Sequence, residues 1–388
     1  MVYVRMNASR IRQNSPGKQP KTNEHQETNM SRFIFSADSH ISEPAKIYLE
    51  KLPASMHHLA LRTEKQEKTF MVKMGDTVLL KLQLGDGFAG SPRHGSNDLV
   101  LRRKDMEMDG IDAEVLFPNL ALMLYNIPDW EIELATAQIY NDWCINHVRD
   151  HREVFVPTAV LPVGKLTETL TEFKRVAALG YTAVMLPVVT PAGVPRYNSE
   201  EWDPIFAFAA AAQIPLIYHT GTGLADVVVE RGPGAAIFNY TRQINDAMDT
   251  FSLLIAGGVL DRNPGAKVVT IESGASWLGA LGERMDEVAR AHDFYVRPKL
   301  SRPPSQIIRD QMACSFQYDR AAIMSRQVTG TQALLWASDY PHMEGTFPNS
   351  RDVLAKLFDG IDISEEEKDA ILGGNAARLF RLHEAVPA

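Results

Sequence analysis

The sequence predicts an α/β fold, a deformed (β/α)8 TIM barrel with an insertion after its first strand. Three observations lead there. Eight short runs rich in Val, Ile and Leu alternate with helix-like segments from Phe33 onward. The runs are nearly continuous in apolar residues rather than alternating, the mark of strands buried on both faces of a parallel sheet. Residues with metal-ligand chemistry end runs near both extremes of the chain. Only a closed barrel brings those extremes together, whereas an open doubly wound sheet gathers its ligands at one switch point early in the chain.

A chain of 388 residues is long enough for one large domain with a sizeable core. Its net charge of −8 leaves no basic excess for nucleic acid or an anionic membrane surface. No apolar run reaches bilayer length. Cys144 and Cys314 fall in apolar patterns and read as small core residues, not a disulfide framework. A soluble, cytoplasmic protein is expected. Residues 1–32 are rich in Asn, Gln, Lys, Arg and Ser and read as a disordered extension, with Met30 a candidate natural start. Residues 33–388 are expected to form a single barrel domain.

Strand one, 33–38, ends in Asp38 and is followed by Ser39-His40 before Ser42-Glu43-Pro44 breaks the pattern. Residues 41–105 form the insertion, with a hairpin at 69–84 turning at Gly75-Asp76. The Gly-rich stretch from Gly85 to Asn97 is expected to be mobile, and the insertion to lie over the barrel mouth as a lid or subunit contact. Strand two is 113–118, and a helix over 129–150 opens at Asp129. Strand three, 155–161, precedes a helix over 166–179 that stops at Gly180. Strand four, 182–188, leads to a helix over 201–213. Strand five, 214–219, is followed by a helix over 242–256 that stops at Gly257-Gly258. Strands six, seven and eight are 267–272, the weaker 312–316, and 333–338. Ser364 and Glu367 form a capping box opening a terminal helix, whose acidic run 365–369 reads as an exposed face.

Catalytic groups in such a barrel come from the C-terminal strand ends. Those ends supply Asp38 and His40, which share one face of strand one. They also supply His219 from strand five, Glu272 from strand six, and Asp339 and His342 after strand eight. Taken singly, His219 reads as a core histidine and Asp339 as a helix cap. Taken together, imidazoles and carboxylates at strand ends suit Zn, Mn or Fe in the divalent state, and a buried carboxylate cluster needs a cation to offset its desolvation. Arg93, with His94, is a candidate clamp for a substrate carboxylate, although a solvated loop is the simpler reading. Trp277 is a candidate pocket wall; Trp202 and Phe117 read as core.

The ordered set Asp38-x-His40, Met108-Asp-Gly-Ile-Asp-Ala-Glu-Val-Leu-Phe-Pro118, Tyr218-His-Thr-Gly221, Glu272-Ser-Gly-Ala-Ser-Trp277, Trp336-Ala-Ser-Asp-Tyr-Pro-His-Met-Glu-Gly345 and Asn375-Ala-Ala-Arg-Leu-Phe380 resembles the amidohydrolase-related family. That branch of the amidohydrolase superfamily includes aminocarboxymuconate semialdehyde decarboxylase and the resorcylate-type decarboxylases. The similarity spans residues 33 to 382. The resemblance implies a barrel of the metal-dependent hydrolase type holding one divalent ion rather than two. His40 would stand at the second position of the usual His-x-His pair, His219 would be the strand-five ligand and Asp339 the strand-eight ligand. Two departures stand out: Asp38 replaces the first His of the pair, and Glu272 replaces a strand-six His that assists proton transfer. With His342 beside them, the set is similar to dinuclear Fe or Mn oxygenases of this fold.

The expected activity is therefore metal-assisted hydrolysis or nonoxidative decarboxylation of a small carboxylated or cyclic substrate. A dinuclear oxygenase is the alternative, and a catalytically silent partner subunit a third. The resemblance further implies a homodimer or higher homo-oligomer.

Overall fold

The computed structural model describes residues 32–66, 69–83, 94–223 and 227–382. The disordered extension expected over residues 1–32 lies, apart from Arg32, outside the described residues. Eight parallel strand positions, labelled β1 to β8, carry the core. They are β1 (Phe35–Ser36, resumed at His40–Ile41), β2 (Ala113–Pro118), β3 (Phe155–Pro157 and Ala159–Val160), β4 (Val184–Val189), β5 (Leu216–Gly223), β6 (Val268–Ile271), β7 (Met312–Phe316) and β8 (Leu334–Trp336). Each pairs in parallel with the next, as in Phe35 with Ala113, Glu114 with Phe155, Ala159 with Val184, and Cys314 with Leu334.

The ring closes at a seam between β8 and β1. Ala37 N–H donates to Trp336 O at 3.0 Å, Asp339 N–H donates to Asp38 O at 2.9 Å, and Ser39 bridges Tyr340. Every residue of β2, β6, β7 and β8 is buried, which explains their unbroken apolar runs. Both cysteines are buried and free.

The helices follow the sequence expectations closely. Trp130–His147 opens on Asp129, whose carboxylate accepts from the Glu131 and Ile132 amides. Leu166–Ala178, Asp203–Ala212 and Ile244–Ala256 fill the predicted intervals. The Ser364 capping box is present, but the terminal helix is not continuous: Glu365–Asp369 passes through a wide turn, Ala370–Gly374, into Asn375–Leu379. Gly373 makes that turn possible, because a Cβ there would come within 2.7 Å of Phe33 O on the way into β1. The acidic run is more than a solvated face. Glu367 pairs with the nearly buried Arg326 at 2.7 Å, and this ion pair joins the C-terminal segment to the short helix Arg326–Thr329 before β8.

The insertion contains three antiparallel strands, Leu61–Gln66, Thr69–Met74 and Thr77–Gln83, where the sequence suggested two. The turn at Gly75-Asp76 is as expected. The missed strand reads Leu-Arg-Thr-Glu-Lys-Gln, an edge strand whose charges hide its β character and blunt an exposed edge. Most of the stretch expected to be mobile lies outside the described residues. Its end does not float: His94–Ser96 forms a 3-10 turn, and Ser42 N–H donates to Ser96 O at 2.7 Å. Among the described residues no helix is long and apolar enough to cross a membrane.

Candidate metal centre

The Asp38-Ser39-His40 stretch puts Asp38 and His40 on one side and Ser39 on the other. Ser39 Oγ donates to Val115 O at 2.7 Å and so anchors β1 against β2. Inside the barrel mouth, His40 Nε2 lies 3.5 Å from Asp38 Oδ1, 3.5 Å from Asp339 Oδ1 and 3.3 Å from His219 Nε2. His219 Nε2 stands 3.7 Å from Asp38 Oδ1. Bonds of about 2.0–2.2 Å to one cation place neighbouring ligand atoms about 3 to 3.6 Å apart. Asp38, His40 and His219 come close to that spacing as one group, and Asp339 adjoins it through His40, with which it and His342 form a second group.

The partners of these groups matter as much as the distances. All four carboxylate oxygens of Asp38 and Asp339 are buried and accept no hydrogen bond. Two buried carboxylates without donors are strongly disfavoured unless protons or a cation compensate them. The imidazoles are oriented for the second option. His40 Nδ1 lies 3.1 Å from Pro118 O, and His219 Nδ1 lies 2.9 Å from Thr220 O. Each ring thus gives its Nδ1 proton to a carbonyl and turns Nε2 toward the cluster. The donor set fits a divalent cation.

Electrostatics follow from burial. Desolvation, reinforced by the His342 and His219 rings, holds His40 well below the ordinary imidazole range. Desolvation opposes charge on His219 too, but the Asp38 carboxylate 3.7 Å away, then the charge of Glu272, outweigh it and lift His219 to about 9. Burial, then the charges of Asp339 and Asp38, raise Glu272 to about 8. Asp339 lies well above the carboxylate range, from burial first and Asp38 second.

Glu272 and His342 form the rim. Glu272 Oε2 is 3.9 Å from His219 Nδ1. His342 Nδ1 is 3.0 Å from Asp339 Oδ1, its Nε2 is 3.2 Å from Asn119 Oδ1, and its ring stacks on His40 at 4.0 Å between centroids. Glu272, Asp339 and the exposed Glu344 each offer an oxygen within 4.8 Å of the others. Glu272 and Asp339 also share a backbone signature, with φ of 60° and 54° in the left-handed region. For non-glycine residues this costs about 1–3 kcal/mol and persists only when the surroundings impose it. Here Ser315 Oγ accepts from Glu272 N–H at 3.0 Å, and the β8–β1 seam holds Asp339.

The structure therefore brings together Asp38, His40, His219, Glu272, Asp339 and His342. Trp277 has a buried indole that donates to Ser273 O and Gly274 O at 3.1 Å each, so it braces the Glu272-Ser-Gly turn. Arg93 lies outside the described residues. Phe117, expected as core, is buried but also packs edge-on against His219 at 5.1 Å.

Four supporting residues escaped the sequence reading. Asn119 orients His342, and Glu43 accepts the amides of Asn119, Leu120 and Ala121 at 2.8 to 3.2 Å. The fully buried Arg102 donates to His40 O at 2.6 Å and to Glu114 at 2.5 Å, and lies 4.8 Å over the Tyr340 ring. Glu344 was within a quoted motif, and a carboxylate two residues past His342 was the only available signal. The others meet the site through contacts between residues 62 to 223 positions apart, with no local pattern to reveal them.

The amidohydrolase family model matches residues 95–382. No curated protein sequence matches the chain. Among solved structures, an amidohydrolase of Mycobacterium avium subsp. paratuberculosis K-10 is 20% identical, with a TM-score of 0.74 over 90% of this chain and 100% of that one. The 5-carboxyvanillate decarboxylase of Sphingomonas paucimobilis is 21% identical, with a TM-score of 0.66 over 90% and 99%. A dihydroxybenzoic acid decarboxylase of Polaromonas sp. JS666, with bound manganese and the inhibitor 2-nitroresorcinol, is 17% identical, with a TM-score of 0.61 over 92% and 100%. These likenesses show the shared barrel fold.

Proposed function

Since this chain belongs to the amidohydrolase family, we propose that it is a metal-dependent nonoxidative decarboxylase of a small aromatic carboxylate. Asp38, His40, His219 and Asp339 would hold one divalent ion, Zn, Mn or Fe. When bound, that ion supplies positive charge for the substrate carboxylate and an adjacent oxygen.

The observation that carries the reading is Glu272. A decarboxylase must deliver a proton to carbon as the carbon–carbon bond breaks. A glutamate serves only if its environment keeps it protonated near neutral pH. In the metal-free chain burial and the charges of Asp339 and Asp38 raise Glu272 to about 8, a value the bound ion would draw down toward neutrality. As the carboxylate leaves as carbon dioxide, the bond pair stays on the ring carbon and takes the Glu272 proton; solvent then reprotonates Glu272. Asn119 fixes His342 against Asp339, and Trp277 fixes the turn that presents Glu272. The named decarboxylases among the similar structures support the substrate class.

The test is carbon dioxide release from 2,6-dihydroxybenzoate and 5-carboxyvanillate by protein loaded with one Mn or Zn per chain. Glu272→Gln should abolish release by at least about 100-fold while metal content stays at one. Metal-loaded protein inactive on every hydroxybenzoate tried would overturn the proposal.

Hydrolysis is the sister reading, with Asp339 as the base toward water; Asp339→Asn would then remove turnover of an ester or lactone. A dinuclear oxygenase gains support from the Glu272, Asp339 and Glu344 oxygens clustered beside His342. It requires two metal ions per chain in protein purified without added metal, together with dioxygen uptake. We also propose a cytoplasmic homo-oligomer. Ile237, Phe238 and Tyr240 stand 78%, 51% and 50% exposed on the helix Ala235–Arg242, and light scattering tests the assembly.

A further inference from the structure

The ligand cluster occupies the C-terminal ends of the strands, and the opposite end of the barrel holds a cavity of about 530 Å³. Its floor is made by Ile214 and Pro215, just ahead of β5, and by the first residues of β6 and β7, Val268, Met312 and Ala313. Its apolar lining includes Ile214 and Leu379. Four cations stand around it: Arg381, which has a partner of its own, and three on which the argument turns, Lys267, ahead of β6, Arg309, near the end of the helix Pro304–Gln311, and Arg378, from the helix Asn375–Leu379.

Cations near helix C-termini are ordinary, because the carbonyl end of a helix attracts positive charge. The bonding pattern here goes beyond that. Lys267 Nζ donates to the Asp310 carbonyl, Arg309 Nη2 to Val328 O at 2.7 Å, and Arg378 Nη2 to Asn375 Oδ1 at 2.6 Å. All of these acceptors are neutral. Among the described residues, none of the three cations forms an ion pair. The acid in the lining, Asp310, is already held by Arg302 at 3.0 Å. Three cations from three separate elements therefore face one apolar-floored hollow with no carboxylate committed to them. A guanidinium with free N–H groups is suited to carboxylate or phosphate.

We propose that this cavity is a second binding site, separate from the metal centre, for a small organic anion. The ligand would have an apolar body against Ile214, Met312 and Leu379 and a carboxylate or phosphate head among Lys267, Arg309 and Arg378.

The test is calorimetric titration of the metal-loaded full chain with phenyl phosphate, benzoate and inorganic phosphate, at low and moderate salt. Phenyl phosphate or benzoate should bind, more weakly as salt rises, and the tighter of the two identifies the head group. Inorganic phosphate, lacking an apolar body, should bind at least about tenfold more weakly. Arg309→Ala and Arg378→Ala should each weaken the organic probe about tenfold, the loss expected for one charged hydrogen bond. Both side chains are exposed, so the fold should tolerate the changes; Arg309→Lys should recover part of the affinity. Binding should persist in Asp339→Asn, which separates this site from the metal centre. The proposal falls if neither organic probe binds by about 10 mM. It falls equally if both arginine variants bind as the parent does, or if binding vanishes in Asp339→Asn.

Discussion

Glu272 and Asp339 differ from ordinary surface carboxylates in two linked ways: each is turned into the barrel by a left-handed backbone, and each is kept from ionising by its surroundings. For Glu272 the sign of the pH effect follows directly. The acid form is needed, so turnover should fall as pH rises. A bound cation draws the value down from about 8, placing the falling limb at or below pH 8. A pH–rate profile reads this, and Glu272→Asp should shift the limb while Glu272→Gln erases activity. Asp38→Asn should act on the metal instead, lowering affinity about 10- to 100-fold, as measured by competition with a chelator. At this scale much was legible in the sequence. Strand-end positions and period-two geometry singled out Asp38, His40, His219, Glu272 and Asp339, because runs of apolar residues announce where a strand stops. Asn119, Glu43 and Arg102 were not legible, since each matters through a contact made only after folding.

The helix Leu99–Asp109 shows how an element outside the strands governs the site. Its Arg102 reaches the carbonyl of His40 and the carboxylate of Glu114, both fully buried neighbours. Replacing Arg102 by Ala leaves the buried Glu114, which burial already raises above the usual carboxylate range, without its counter-ion, and should cost about 3–5 kcal/mol in a denaturant titration. Arg102→Lys should recover part of the stability but not the metal affinity, because one ammonium cannot serve both acceptors of a planar fork. The wide turn Ala370–Gly374 makes a comparable demand. Gly373→Ala pushes a Cβ against Phe33 O and Phe35 N, and should lower stability by about 1–3 kcal/mol. Strands and helices with strong periodicity, such as Trp130–His147, were readable in advance. The strand Leu61–Gln66 was not, because a charged edge lacks the apolar rhythm on which such readings depend.

For the whole molecule, the buried charges make stability depend on both pH and metal. In metal-free protein, Glu272 rises from 4.5 to about 8 and His219 from 6.5 to about 9. Both folded values exceed the unfolded ones, so the stability they contribute is complete below the unfolded values. It is lost as pH climbs through the folded ones. The melting temperature of chelator-treated protein should therefore decline between about pH 5 and 9. Protein loaded with Mn or Zn should show the reverse slope over the lower part of that range, because ligands must shed protons to bind. Thermal scans of the two forms across pH test the contrast, and parallel curves would count against the metal centre.

The seam where Asp339 N–H meets Asp38 O joins residues about 300 positions apart. During synthesis, β1 emerges early and must wait for nearly the entire polypeptide before its second neighbour exists. Nascent chains halted before β8 thus carry an open sheet margin and an incomplete cation cage. Engineering a new chain start between β4 and β5 would make β8 and β1 contiguous in synthesis, so the cage would assemble midway through translation instead of at its end.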